Sequence, residues 1–187
     1  WGLNSTGQLG LGNITNYSSP KQVGSLTTWS KVASGTGFSV AIKTDGTLWT
    51  WGKNEHGQLG LNNRTYYSSP KQVGSLTTWS NISCLITTCI AIKTDGSLWA
   101  WGQNNYGQLG LGNITYYSSP KQVGSLTTWS TISAGRTFVA ATKTDGTLWS
   151  WGQNNNGQLG LNNVTYYSSP KQIGALTSWL QVSSGNA

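Results

Sequence analysis

The chain has 187 residues, with 11 Lys and Arg against 4 Asp and Glu and a formal net charge of +7. Only 8% of residues are charged, 11% are aromatic and 25 are Gly. That is too little charge for a solvated helical surface and too much aromatic content for a disordered segment, while the Gly points to many tight turns between short strands. The positive excess is spread along the chain and favours acidic partners only weakly. No apolar run approaches the ~20 residues of a membrane helix. No leader pattern is visible at Trp1 and no Met occurs, so a processed chain or a portion of something longer is expected.

Read in order, the chain repeats every fifty residues. Trp1-Gly2, Trp51-Gly52, Trp101-Gly102 and Trp151-Gly152 open units 1–50, 51–100, 101–150 and 151–187, the last incomplete. Each unit runs on to Gly-Gln-Leu-Gly, as at Gly57 to Gly60, and then to Tyr-Ser-Ser-Pro-Lys-Gln, as at Tyr67 to Gln72. A Trp follows at 29, 79, 129 and 179, and Lys-Thr-Asp-Gly closes the first three units. Asp45-Gly46 between Val40-Ala41-Ile42 and Thr47-Leu48-Trp49 reads as a hairpin with a two-residue type I′ turn, repeated at Asp95-Gly96 and Asp145-Gly146. Pro20, Pro70, Pro120 and Pro170 suit the start of a strand or a sheet edge. The segment from Trp29 and its copies reads as a further strand, ended by Gly35 and Gly135. Leu85 stands there in unit two and predicts a differently built turn. No stretch keeps a helical period. Short strands repeated radially predict an all-β propeller, with a solenoid as the rival.

The unit W-x-W-G-x-N-x-x-G-Q-L-G, then S-P, then W-x-x-(I/V)-(A/S)-x-G, then A-I-K-T-D-G-T-L-W resembles the repeat of the regulator of chromosome condensation family along the whole chain. The resemblance implies a β-propeller of four-stranded antiparallel blades, usually seven, with the sequence repeat offset from the blade. A closed ring of that kind needs roughly 350 residues at this period, so a partial ring, or part of a larger one, is expected. Extra chain or additional copies would be needed to close it. Phe38, Thr88 and Phe138 stand where many members of the family carry His.

Few groups are available for catalysis. His56 is the only His and Glu55 the only Glu, and Asp45, Asp95 and Asp145 all fall in hairpin turns. No acid–base pair, nucleophile triad or metal set can be assembled, so no enzyme activity, metal or cofactor is expected. The 11 Trp recur in register and read as packing residues. Lys43, Lys93 and Lys143 are expected to pair with the turn Asp two residues on. Lys21, Lys71, Lys121 and Lys171, beside Tyr17, Tyr67, Tyr117 and Tyr167, define a possible anion-binding arc on one face, against the plainer reading of a solvated surface. Cys84 and Cys89 flank a turn and suit either one disulfide or two small buried thiols. Asn13, Asn63, Asn113 and Asn163 are the loop-placed N-glycosylation sequons.

Three function classes follow. The first is a non-enzymatic structural or protein-binding propeller in an extracellular, cell-surface or virion assembly. The second, which the resemblance carries, is a nucleotide-exchange factor or chromatin-binding propeller in the cytoplasm or nucleus. The third is a lectin-like binder of anionic glycans. Nucleic acid is disfavoured, because the only Arg are Arg64 and Arg136.

Overall fold

The computed structural model describes residues 1–25 and 27–185, and every regular element among them is a strand. Strands β1 (Trp29–Gly35), β2 (Phe38–Lys43), β3 (Leu48–Gly52) and β4 (Tyr67–Gln72) form one antiparallel sheet in chain order. A second sheet holds β5 (Trp79–Cys84), β6 (Thr88–Lys93), β7 (Leu98–Gly102) and β8 (Tyr117–Gln122). The third holds β9 (Trp129–Ala134), β10 (Phe138–Lys143), β11 (Leu148–Gly152) and β12 (Tyr167–Gln172). These are three propeller blades, each starting 28 residues into a sequence unit, since Trp29, Trp79 and Trp129 open them.

β5 packs on β1 and β2, and β9 on β5 and β6, so the first strand of each blade is innermost and the Tyr-Ser-Ser-Pro-Lys-Gln strand is outermost. Pro70, Pro120 and Pro170 thus lie on edge strands, where a missing N–H costs no ladder bond. The core sits between blades. Side chains alternate across each strand, so Ile90 and Ile92 face the third blade while Cys89 and Ala91 face the first.

The Gly-Gln-Leu-Gly loop joins blade to blade. The indole N–H groups of Trp51, Trp101 and Trp151 donate to the carbonyls of Gln8, Gln58 and Gln108 in the preceding unit, at 2.8, 2.9 and 3.0 Å. A Cβ on Gly60 would stand 2.9 Å from Trp101 Nε1, so only Gly admits the ring. The buried Asn54, Asn104 and Asn154 brace the same loop. Asn54 accepts from the Leu59 N–H at 3.0 Å and donates to the Asn63 and Thr65 carbonyls, each at 3.0 Å.

Two local expectations are corrected. The Asp-Gly hairpin is not a two-residue type I′ turn. Gly46 N–H donates to Lys43 O and Lys43 N–H to Thr47 O, both at 3.0 Å, closing a three-residue loop in which Gly46 (φ 78°) takes the left-handed position. Asp45 selects this form by accepting from both the N–H and the hydroxyl of Thr47, at 2.9 and 2.6 Å. The turn at Leu85 is also not built differently. Leu85 N–H donates to Thr88 O at 2.8 Å, as Gly135 N–H donates to Phe138 O at 3.0 Å. What changes is packing. A Cβ on Gly135 would meet the Phe138 ring at 2.2 Å, whereas the smaller Thr88 leaves room for buried Leu85.

At the ends of the arc, repeated residues lack a covering blade. Trp1 is 71% exposed and Val32 is 74% exposed, while Trp101 and Ile132 are buried. Residues 179–185 already lie against the third blade, with Ser184 N–H donating to Ser133 Oγ at 2.8 Å.

Candidate functional site

The two ends of each blade differ in kind. One end carries the Lys-Thr-Asp-Gly hairpins and the connection into the next blade. The other carries the β1–β2, β5–β6 and β9–β10 turns and the long loops that follow β3, β7 and β11. The hairpin rim is nearly uniform: residues 43–46, 93–96 and 143–146 are identical, as are 73–78 and 123–128, and 173–178 differs from these only by Ile173, Ala175 and Ser178. The long-loop rim is where the units diverge. Position 53 and its copies 103 and 153 read Lys, Gln, Gln, and 56, 106 and 156 read His, Tyr, Asn. The turn positions 36, 86 and 136 read Thr, Ile, Arg, all exposed.

The fold gathers several of these differences into two adjoining depressions. One, of about 460 Å³, lies between the second and third blades and is walled by Leu85 to Thr88, Gln103, Tyr106, Arg136 and Gln153. The other, of about 600 Å³, lies at the innermost strands, where Thr36, Cys84, Ile86 and Arg136 meet. Arg136 has no ion-pair partner among the described residues, where the one salt bridge is Lys53–Glu55 at 2.9 Å. Around this rim, His56 stacks edge-on with Tyr116 at 5.7 Å between centroids, and Tyr106 with Tyr166 at 5.9 Å, tying each long loop to the next. Burial, and then the hydrogen bond to Glu55, pushes the Tyr66 hydroxyl up to about 12. Its partner Glu55 is held below the usual carboxylate value by Tyr66 first and Lys53 second.

The residues singled out from sequence lie elsewhere. Lys71, Lys121 and Lys171 sit on the outermost strands, and each ammonium stands 5.4–5.6 Å over the ring of Tyr67, Tyr117 or Tyr167. Lys21 over Tyr17 repeats the pair at 5.5 Å. These four lysines line the perimeter, not an end of the blades. Asn13, Asn63, Asn113 and Asn163 lie in the long loops, with their amides engaged: Asn63 accepts from Thr65 N–H at 3.0 Å and donates to the Tyr67 hydroxyl at 3.3 Å. Asn163 alone of the four is exposed, the others being half-buried. Cys84 and Cys89 face each other across β5–β6 as two thiols, with sulfurs 2.8 Å apart. Burial, and then Cys84, raises the Cys89 thiol well above its usual value.

The expected Lys–Asp pairing is corrected. Lys43, Lys93 and Lys143 turn away from Asp and stack on indoles, 3.9, 3.6 and 3.5 Å from the centroids of Trp49, Trp99 and Trp149. The Asp oxygens are taken by the turn itself. Two further roles went unread in the sequence, the bracing Asn54 set and the Leu85–Arg136 junction. Recurrence in every unit marks the first, and departure from recurrence marks the second. Among the described residues no three His, Cys, Asp or Glu group to hold a metal, and no helix is long and apolar enough to cross a membrane.

The profile of the Regulator of chromosome condensation (RCC1) repeat matches residues 1–42, 45–92, 95–142 and 145–187. A second profile of that repeat matches 29–58, 80–108 and 129–158. No curated protein matches the chain in sequence. Among solved structures, human WBSCR16 is similar at 25% identity and TM-score 0.86, over 99% of this chain and 50% of that one. Prp20p from Saccharomyces cerevisiae, which has binding properties to Gsp1p and histones, is similar at 21% identity and TM-score 0.76, over 87% and 43%. Yeast RCC1 (Prp20), solved with Kap60 bound to it, aligns at 20% identity and TM-score 0.80, over 92% and 44%. The chain spans about half the length of these relatives or less.

Proposed function

The chain belongs to the regulator of chromosome condensation (RCC1) repeat family, and on that premise we propose that it acts by binding a protein partner through its long-loop rim. The observation that carries this reading is the segregation of sequence differences. The hairpin rim repeats with few changes, while Lys53, His56, Tyr106, Leu85, Ile86 and Arg136 make the long-loop rim different at each blade. A surface that is different at every blade gives one partner one register; a uniform one does not. Exposed Ile86 beside unpaired Arg136 supplies the apolar and cationic contacts typical of interface anchors.

The exchange-factor or chromatin-binding class is the second reading. It is favoured by the yeast relative that binds Gsp1p and histones, and it carries a nuclear or cytoplasmic setting with it. Those relatives lend no support to the extracellular, cell-surface or virion setting expected from composition and sequons. A binding assay of the 187-residue chain against purified Gsp1p and against histones tests both readings. Ile86→Glu with Arg136→Glu should weaken binding at least tenfold, and Thr44→Glu with Thr94→Glu on the hairpin rim should leave it unchanged. Equal losses from the two pairs would overturn the face assignment, and no binding to either protein would remove this partner class.

A further inference from the structure

The hairpin end of each blade junction holds a cleft that the long-loop rim does not use. There are three copies, of about 430, 450 and 360 Å³, where the preceding unit meets the first blade, the first the second, and the second the third. The middle one is walled by Gln72 and Leu76 on one side and by Trp79, Lys93, Trp99 and Pro120 on the other. Volumes of this order suit small ligands.

The chemistry of the walls is one-sided. Lys93 and Lys143 are only 8% and 7% exposed, yet among the described residues neither ammonium has a hydrogen-bond acceptor or an ion-pair partner. No carboxylate lines any of the three clefts. The same walls hold a second unanswered donor: the indole N–H groups of Trp29, Trp79 and Trp129 are buried without a partner. Buried donors of this kind are rare in folded proteins and costly to leave unmade. Beside them stand the faces of Trp49, Trp99 and Trp149, and at the mouths Leu76 and Leu126 are about half exposed. The indole nitrogens are sealed from the cleft, so the ammonium beside an apolar lip is the group that would meet an anion on a flat apolar body. A cation is disfavoured, because the tethered lysine already occupies the indole faces.

We propose that the three hairpin-end clefts are binding sites for carboxylates carried on an aromatic group, either as free acids or as the C-terminus of a peptide. The carboxylate would accept from the lysine ammonium in a partly desolvated site, where charge-assisted hydrogen bonds are strong. The aromatic body would lie against the leucine and proline of the cleft wall, since the lysine stem already covers the indole faces. The assignment is independent of the partner reading, since it uses the opposite rim.

Indole ¹H–¹⁵N resonances of the whole chain provide the test, with 3-phenylpropionate, its neutral amide, phenethyltrimethylammonium, and the peptide Gly-Gly-Phe in free-acid and amidated forms. The acid should move the Trp79, Trp99, Trp129 and Trp149 signals. Lys93→Met should weaken binding at Trp79 and Trp99 at least tenfold while the Trp129–Trp149 cleft still responds, which also verifies the fold. Lys93→Arg should preserve it. Tighter binding of the free-acid peptide than of 3-phenylpropionate assigns the site to chain termini, and the reverse assigns it to small acids. The proposal is overturned if the amides bind as tightly as the acids, if the ammonium probe binds better, or if Lys93→Met changes nothing.

Discussion

Gly60→Ala and Gly160→Ala are the same substitution in the same motif, at φ values of +71° and +67°. Each puts a Cβ on a left-handed backbone, a shared cost of about 1–2 kcal/mol. They differ only in what the Cβ meets. At Gly60 it would stand 2.9 Å from Nε1 and 3.1 Å from Cδ1 of Trp101, a ring with no exposure that is also hydrogen-bonded to Gln58 O. At Gly160 the nearest atom is a methyl of Ile173 at 3.7 Å, an ordinary contact. Forcing a buried ring aside in a packed core costs about 1–3 kcal/mol more. Gly60→Ala should therefore be the less stable variant by that amount, or about 2–4 °C in melting temperature per kcal/mol for a chain of this size. Urea and thermal unfolding followed by tryptophan fluorescence and far-UV circular dichroism measure it. Equal shifts for the two variants would refute the account of this glycine as a blade-joining residue.

Two further outcomes are expected. Asp45, Asp95 and Asp145 have pKa values below the ordinary 3.8 because the Thr47, Ser97 and Thr147 hydroxyls and N–H groups bind the ionised form. Their stabilisation is then complete above the unfolded value and is lost as pH falls through the lowered folded value. Melting temperature should fall below about pH 4, and the triple Asp→Asn variant should flatten that fall; an unchanged acid limb would contradict it. For the cysteines, native alkylation should modify half-buried Cys84 before buried Cys89, and diamide should link the two within one chain on non-reducing peptide mapping. Faster labelling of Cys89, or linkage only between chains, would count against the opposed-thiol geometry.

The fifty-residue period made the blade legible, because a residue demanded once per unit announces a packing role before its neighbours are known. Trp51, Trp101 and Trp151 were readable in this way. Gly60 was read only as a turn residue, since its second constraint is an indole arriving from the next blade. The Asp45-Gly46 pair is compatible with both hairpin classes, and the hydroxyl of Thr47 decides between them. Lys43 was assigned to the nearest acid in sequence, but that acid is satisfied locally and the indole of Trp49 lies closer to the ammonium. The perimeter lysines were visible as a set, yet their placement on the outermost strand depends on the order of strands within the blade, which the pattern does not encode. The divergent rim was hidden for a similar reason. Positions 53, 56, 86 and 136 are scattered along the sequence and meet only once antiparallel strands bring the two kinds of loop to one end.

The contacts between blades repeat almost without change. Trp79, Trp129 and Trp179 each donate their backbone N–H to Gly46, Gly96 or Gly146 at 3.1 Å, and Ala134 and Ser184 donate theirs to Ser83 Oγ and Ser133 Oγ. A blade in this array therefore meets its successor through largely the same joint, although Ala33 replaces the joint serine in the first blade and Thr36 N–H donates to Ile86 O there instead. Duplicating or excising fifty residues in frame would re-create a joint already present and would strand no buried surface, so unequal recombination between such similar stretches is tolerated by the packing. A shift that is not a whole number of units would disturb the Gly–Trp approach that spans it. Point changes in the loops then alter what the molecule recognises, and whole-unit changes also alter how far around the axis it reaches.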